Sequence, residues 1–238
     1  MASLADNETV IRFLHILSGI TWIGMLYFFN LVNLPLLKFQ MKKPYEANMA
    51  EKVTGPITVK TLFWFRWGAA FTVLFGLLLL GVEQMHMSSL PDGTAITQCP
   101  DGTAGSGLAC YFLHNGMTGY AISMGIVLAL VMAFNVWFVI WPRQKKILLN
   151  NKAIAASTDD AEKKRLGDEN APLVKTAVLA SRLNTWFSIP MLWGMVFGAH
   201  GYSRGNTFKD WYSPLAVLGL VLILMWMYAT VKPKPAAK

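Results

Sequence analysis

The side chains best suited to chemistry in this chain are its four histidines, His15, His86, His114 and His200. Imidazole titrates near neutral pH without help and is a common metal ligand. Each histidine belongs to a different apolar stretch. His15 falls about one turn inside the first, His86 just past the end of the second, His114 just before the third, and His200 at the end of the fourth. If those stretches cross a membrane in alternating directions, all four histidines reach one face. An imidazole at membrane depth is costly unless paired or liganded, so such residues are candidates for function. His15 is followed at helical spacing by Ser18, Gly19 and Trp22, and His114 by Thr118, Ala121 and Gly125. Small side chains beside an imidazole leave room for a flat macrocycle, and a four-helix bundle with axial histidines is a natural site for b-type haem. The expectation is therefore one or two non-covalent haem b groups held by His15, His86, His114 and His200. A copper or zinc site is an alternative. So is a cofactor-free bundle whose small residues serve close packing. The chain has no Cys-x-x-Cys-His motif, which excludes covalent haem c.

A second polar group gathers at the opposite ends of the same stretches: Asn30, Asn33, Arg66, Asn135, Arg182 and Asn184. One reading is structural, with arginines snorkelling to headgroups and asparagines tying helices together. The other is a pocket for an anionic group, formed by Asn30, Arg66, Asn135, Arg182 and Asn184, that takes a haem propionate, a quinone head or an anionic substrate. The only cysteines, Cys99 and Cys110, share a glycine-rich loop. On an oxidising side of a membrane they are expected to form a disulfide, with a metal pair as the weaker reading.

These residues need elements to position them, and the composition says which. Hydrophobic residues make up 54% of the 238, and charged residues only 14%, against about 25% charged in soluble domains. Five stretches approach the roughly 20 apolar residues that cross a hydrocarbon core: about 10–34, 61–82, 116–141, 180–200 and 212–231. A backbone in lipid must satisfy its own hydrogen bonds, and these runs lack the alternation of barrel strands. The expected fold is an all-α membrane protein of about five transmembrane helices in a single domain, four of them bundled around the haem site. No internal repeat is expected, and Pro190 should kink the fourth helix. The first span is expected to be retained, since no basic n-region or small-residue cleavage site accompanies it.

The net charge of +8 reads as topology rather than as a nucleic-acid patch. Lys38, Lys42, Lys43, Lys52 and Lys60 lie in one loop. Arg143, Lys145, Lys146, Lys152, Lys163, Lys164, Arg165 and Lys175 lie in the next loop on the same side, with Lys232, Lys234 and Lys238 in the tail. The positive-inside rule then puts the N-terminus outside and the C-terminus in the cytoplasm of a multi-pass protein of the bacterial inner membrane.

Four segments carry a family resemblance: Arg12-Phe-Leu-His-Ile-Leu-Ser-Gly-Ile-Thr-Trp-Ile-Gly to Asn30, Trp64-Phe-Arg-Trp-Gly, Phe134-Asn-Val-Trp-Phe-Val-Ile-Trp-Pro-Arg-Gln-Lys, and Ser181-Arg-Leu-Asn-Thr-Trp-Phe-Ser-Ile-Pro-Met-Leu. Over about residues 10–200 the chain resembles the membrane domain of the bacterial PuuD-type urate hydroxylase (urate oxidase) family. A weaker likeness, His followed by Trp-x-Gly in the first helix, extends to HemJ- and CopD-type membrane haem proteins. The resemblance implies oxidation of urate, with electrons passed to a cytochrome c that is commonly fused at the C-terminus. It carries over to His15, Trp22, Asn30, Arg66, Asn135, Trp137, Arg182, Asn184 and His200. The fused cytochrome has no counterpart after the fifth helix, so the expected partners are the lipid bilayer and a separate cytochrome c or larger redox complex. The expected function is a b-haem electron-transfer subunit. The alternatives are urate hydroxylation to 5-hydroxyisourate and a cofactor-free accessory subunit of a respiratory or photosynthetic complex.

Overall fold

Long apolar runs without polar alternation have one local solution, the helix, which satisfies every backbone group within the segment. The computed structural model describes residues 7–35, 55–88, 93–99, 101–114 and 116–200, and these are helical almost throughout. α1 (Glu8–Tyr27) continues into a π-helical segment, Phe28–Asn33. α2 spans Gly55–Ser88, running past the expected end at Val82, so His86 falls within its last turn rather than beyond it. After a loop come the short α3 (Gly107–Leu113) and then α4 (Gly116–Phe134). A second π-helical segment, Asn135–Ile140, joins α4 without a break to α5 (Trp141–Ala156). α6 is a single helix, Asp160–His200, which Pro172 and Pro190 do not interrupt. The expected fifth span, 212–231, lies outside the described residues, as does the basic tail.

Three helical runs are long and apolar enough to cross a membrane: Glu8–Asn33, Pro56–Met85 and Thr118–Ala156. Their surfaces agree with that reading. Phe13, Ile16, Ile20, Trp64, Phe71, Leu74, Leu77, Val127, Phe134 and Phe138 are all exposed, a density of outward apolar side chains that water does not tolerate on a monomer. The interior is a cluster of Trp22, Leu26, Phe29, Phe65, Met132, Val136 and Met191 with small residues between them.

Two close helix contacts set the arrangement. A Cβ on Gly68 would lie 3.1 Å from the Trp22 backbone nitrogen, where α2 crosses α1. A Cβ on Gly194 would lie 2.5 Å from the Ala121 carbonyl oxygen, where α6 crosses α4. Both contacts exist because glycine lets backbones meet. At the far end α5 and the start of α6 form a polar hairpin. Asn150 donates to Asn170 at 2.9 Å, Asn170 donates to Asn151 at 2.9 Å, and Lys146 pairs with Glu169 at 2.5 Å. That pairing, led by the Lys146 hydrogen bond, holds the Glu169 carboxyl below its ordinary value. The charged segment between Gln144 and Lys175, where the sequence suggests one short solvated helix, is instead two helices, reversed at Ser157–Asp159. There the Asp159 carboxylate accepts from the Ala161 N–H at 2.9 Å and caps α6.

Candidate functional site

His15 sits on the face of α1 that meets α2. Its Nδ1 lies 2.9 Å from the Thr72 carbonyl oxygen, and a carbonyl can only accept, so Nδ1 is the donor and Nε2 is the ring nitrogen left for another partner. Gly76, one turn on, is what makes room: a Cβ there would be 3.1 Å from His15 Cε1. Metal-ligating histidines are commonly oriented in this way, through the nitrogen that does not ligate. One turn toward the N-terminus, Arg12 pairs with Glu8 and reaches Glu83 on α2 at 3.4 Å.

The other histidines are placed by register. On α1 and α6, Tyr27 meets Ser188 (2.9 Å) and Asn30 meets Ser181 (2.8 Å), so the two helices run antiparallel. The same number of residues separates His15 from Tyr27 as separates Ser188 from His200. Counted from Tyr27–Ser188, His200 comes opposite His15, and counted from Asn30–Ser181, Val196 does, so the backbone places His15 and His200 within about one turn of a common level. On α4 and α6, Asn135 meets Asn184 and Gly125 meets Gly194, which carries Gly119 to the level of His200. His86 lies ten residues beyond Gly76, the residue against His15, about 15 Å further along α2. His114 closes α3, and its Nδ1 is 2.8 Å from Asp101 Oδ2 and 3.0 Å from Thr103 Oγ1. The four histidines thus share an end of the helices but not a level. His15 and His200 lie within about one turn of each other in level, while His86 is remote from them and His114 is engaged in the loop.

The small-residue faces have a more ordinary use than a berth for a macrocycle. Ala121 and Gly125 are filled by the α6 backbone at Gly194 and Met195. Gly19 faces Thr72 at van der Waals distance, and Trp22 packs on Gly68. Trp22 itself carries a cue that the sequence did not: it is fully buried, and its indole N–H has no partner in the structure. A buried donor left unpaired is costly, and this one lies two turns below His15, about 10 Å along α1.

At the opposite end most of the amide groups are spent on tying helices. Asn30, 1% exposed, donates to the Leu26 carbonyl at 2.9 Å and to Ser181 Oγ at 2.8 Å, while its Oδ1 has no partner. Asn135 donates to Asn184 Oδ1 at 2.9 Å, and the fully buried Asn184 donates to the Met132 carbonyl at 3.0 Å. Arg66 turns to an aromatic wall, with its guanidinium carbon 3.6 Å from the Trp141 ring centre and 5.5 Å from that of Trp137. Arg182 is half-buried on α6. Asn30 and Asn135 each lie in a π-helical segment, a distortion frequent at functional sites. Just past the second segment Pro142 has no backbone N–H to donate into it, and the Arg143 guanidinium donates to the Val139 carbonyl at 2.8 Å. The groove between α2 and α4, about 300 Å³, is apolar and lined by Ala69, Ala70, Val73, Ala133 and Trp137 among others. None of the five candidate anion-binding residues lines it.

Cys99 and Cys110 are bonded, with Cα atoms 5.1 Å apart. Beside them the Asp101 carboxyl is held down to about 2, first by Thr103 and then by His114. The loop also corrects the expectation of no internal repeat. Pro-Asp-Gly-Thr-Ala occurs at 91–95 and again at 100–104, and Gly93 and Gly102 share φ = 84°. Asp101 and Thr103 belong to the second copy, and that repetition was the available signal for them. Searches among family models, curated proteins and solved structures find no match for this chain.

Proposed function

We propose that this protein is a membrane electron-transfer subunit that binds b-type haem between α1 and α6, where His15 and His200 would hold it. It exchanges electrons with a separate cytochrome c or a larger redox complex. The observation that supports this reading is the antiparallel course of α1 and α6, whose contacts bring these two histidines within about one turn of a common level. The residues fit the group on a second count: the His15 Nδ1 proton is committed to the Thr72 carbonyl, leaving Nε2 as a ligand atom. When bound, haem supplies one-electron chemistry. The chain's own part is to orient the His15 ring through Thr72, to give it space at Gly76, to offer the buried Trp22 N–H, and to exclude water with the surrounding apolar side chains.

In the bilayer the spans are α1 with its π-helical segment, α2, α4 with the π-helical segment that follows it, and the 180–200 part of α6, with 212–231, outside the described residues, as the fifth by its apolar length. The N-terminus lies outside and the C-terminus in the cytoplasm of the bacterial inner membrane, an orientation supported by the basic α5–α6 hairpin. Haem content of the purified protein tests the cofactor. A pyridine assay should return non-covalent protohaem at one per chain, and folded protein without haem contradicts the reading.

A second reading, hydroxylation of urate to 5-hydroxyisourate by the same assembly, has its own observation. Arg66 Nε is buried without a partner, and its guanidinium lies over Trp141, a combination suited to a flat anion. Urate-dependent reduction of an added cytochrome c, lost in Arg66→Ala, separates it from the first reading.

A further inference from the structure

The loop between α2 and α4 holds four metal-ligating side chains that the haem reading does not use. Cys99 Sγ, an Asp101 carboxylate oxygen and a His114 ring nitrogen all lie within 4.8 Å of one another. Cys110 Sγ, bonded to Cys99 Sγ, lies beside the group without being part of it, and is the fourth donor that release of the bond makes available. In the disulfide form the sulfurs are not ligands, because metals bind the thiolate. We infer that reduction of the Cys99–Cys110 disulfide converts this loop into a tetrahedral site for a zinc-like divalent ion, with Cys99, Cys110, Asp101 and His114 as ligands.

Three observations support it. The donors are placed by the backbone as well as by the S–S bond. Cys99 N–H donates to the Thr103 carbonyl at 2.8 Å, Gly102 N–H to the Cys99 carbonyl at 2.9 Å, and Gly105 N–H to the Thr97 carbonyl at 2.9 Å. These bonds survive reduction and keep the thiols near the carboxylate. Second, Cys110 and His114 are four apart at the end of α3, with the His114 N–H donating to the Cys110 carbonyl at 3.1 Å; that spacing faces two side chains the same way. Third, the Asp101 carboxylate is already split between two roles. Oδ1 is fixed by the Thr103 hydroxyl at 2.6 Å and backbone N–H at 3.0 Å, while Oδ2 is turned toward His114. An anchored ligand oxygen of this kind is what outer-sphere partners provide in zinc sites. Zinc bonds of about 2.0–2.3 Å put tetrahedral ligand atoms roughly 3.3–3.8 Å apart. Cys99, Asp101 and His114 must tighten by about 1 Å, and the Cys110 side chain must swing in as the sulfurs separate. Gly105 permits this movement, since a Cβ there would press on Cys99 Sγ at 2.9 Å.

The chemistry balances with a dithiol as reductant. It delivers two electrons and two protons to the S–S bond, closes to its own disulfide, and leaves two thiols. Metal binding then releases both thiol protons to solvent, and the His114–Asp101 hydrogen bond is replaced by two metal bonds. The site is independent of haem.

The test uses the full chain in lipid nanodiscs, reduced with a water-soluble phosphine under inert gas and titrated with Co(II). Reduced protein should bind one equivalent, with the visible bands of tetrahedral cobalt and thiolate charge transfer. Zinc should displace the cobalt, and the oxidised protein should show neither band. His114→Ala should weaken binding by at least about tenfold, with the oxidised variant's retained disulfide and helicity showing that it folds. X-ray absorption on the zinc-loaded wild type, which needs no variant, should report two sulfur and two nitrogen or oxygen neighbours. Absence of tetrahedral cobalt in the reduced protein, equal binding by oxidised protein or by His114→Ala, or a different sulfur count overturns the proposal.

Discussion

A histidine whose Nδ1 proton is committed to a backbone carbonyl has one nitrogen left for chemistry, and the residues around it decide whether it is usable. For His15 the deciding neighbour is Gly76, because a larger side chain would push on the ring at Cε1. Gly76→Leu keeps the histidine and takes away its place. Haem per chain should fall well below wild type, and unchanged content would show that the Thr72–Gly76 notch does not position the ligand. Arg66 belongs to the other end. Arg66→Ala should leave the haem spectrum intact and lower stability by about 0.5–2 kcal/mol, the worth of a cation–π contact. Haem loss in that variant as complete as in the histidine variants would put the cofactor at the wrong end. The sequence alone made His15 and Arg66 visible as polar residues in apolar helices. Their partners Thr72 and Trp141 were not visible, because a backbone carbonyl and an aromatic ring carry no mark of what they will accept.

At the scale of the elements, the helices meet where glycine removes the side chain. Gly194→Val adds bulk 2.5 Å from the Ala121 carbonyl, so α4 and α6 must move apart. Overpacking of this kind costs about 1–3 kcal/mol, and thermal unfolding in detergent should show it. An unshifted midpoint would mean that the contact is not tight. This contact also explains part of what the sequence left undetermined. Ala121 and Gly125 look the same in sequence whether they face a macrocycle or a helix, and α6 is what they face. The first three spans were readable, since apolar length has one solution in lipid, whereas 180–200 is the end of a longer helix and 212–231 lies outside the described residues. The end of α2 at Ser88 was not, because Glu83, Gln84 and His86 look like loop residues. In the structure Arg12 reaches Glu83, and Gln84 Oε1 accepts from the Leu108 N–H at 2.8 Å, so tertiary contacts hold that turn. The depth of His86 changed with it.

For the whole molecule, orientation and cofactor are separable claims. With the native cysteines paired, Thr97→Cys in the loop should react with an impermeant maleimide in intact cells, and Ala161→Cys in the α5–α6 hairpin only after permeabilisation. The reverse pattern would invert the topology and leave the haem site where it is. The central claim is that α1 and α6 hold one haem between His15 and His200. It is tested most directly by the dithionite-reduced minus oxidised spectrum of the purified protein and its histidine variants. The wild type should give a b-type α-band, His15→Ala and His200→Ala should each abolish or shift it, and His86→Ala and His114→Ala should retain it. A band that survives loss of His15 or His200, or that is absent from folded wild type, would contradict the account.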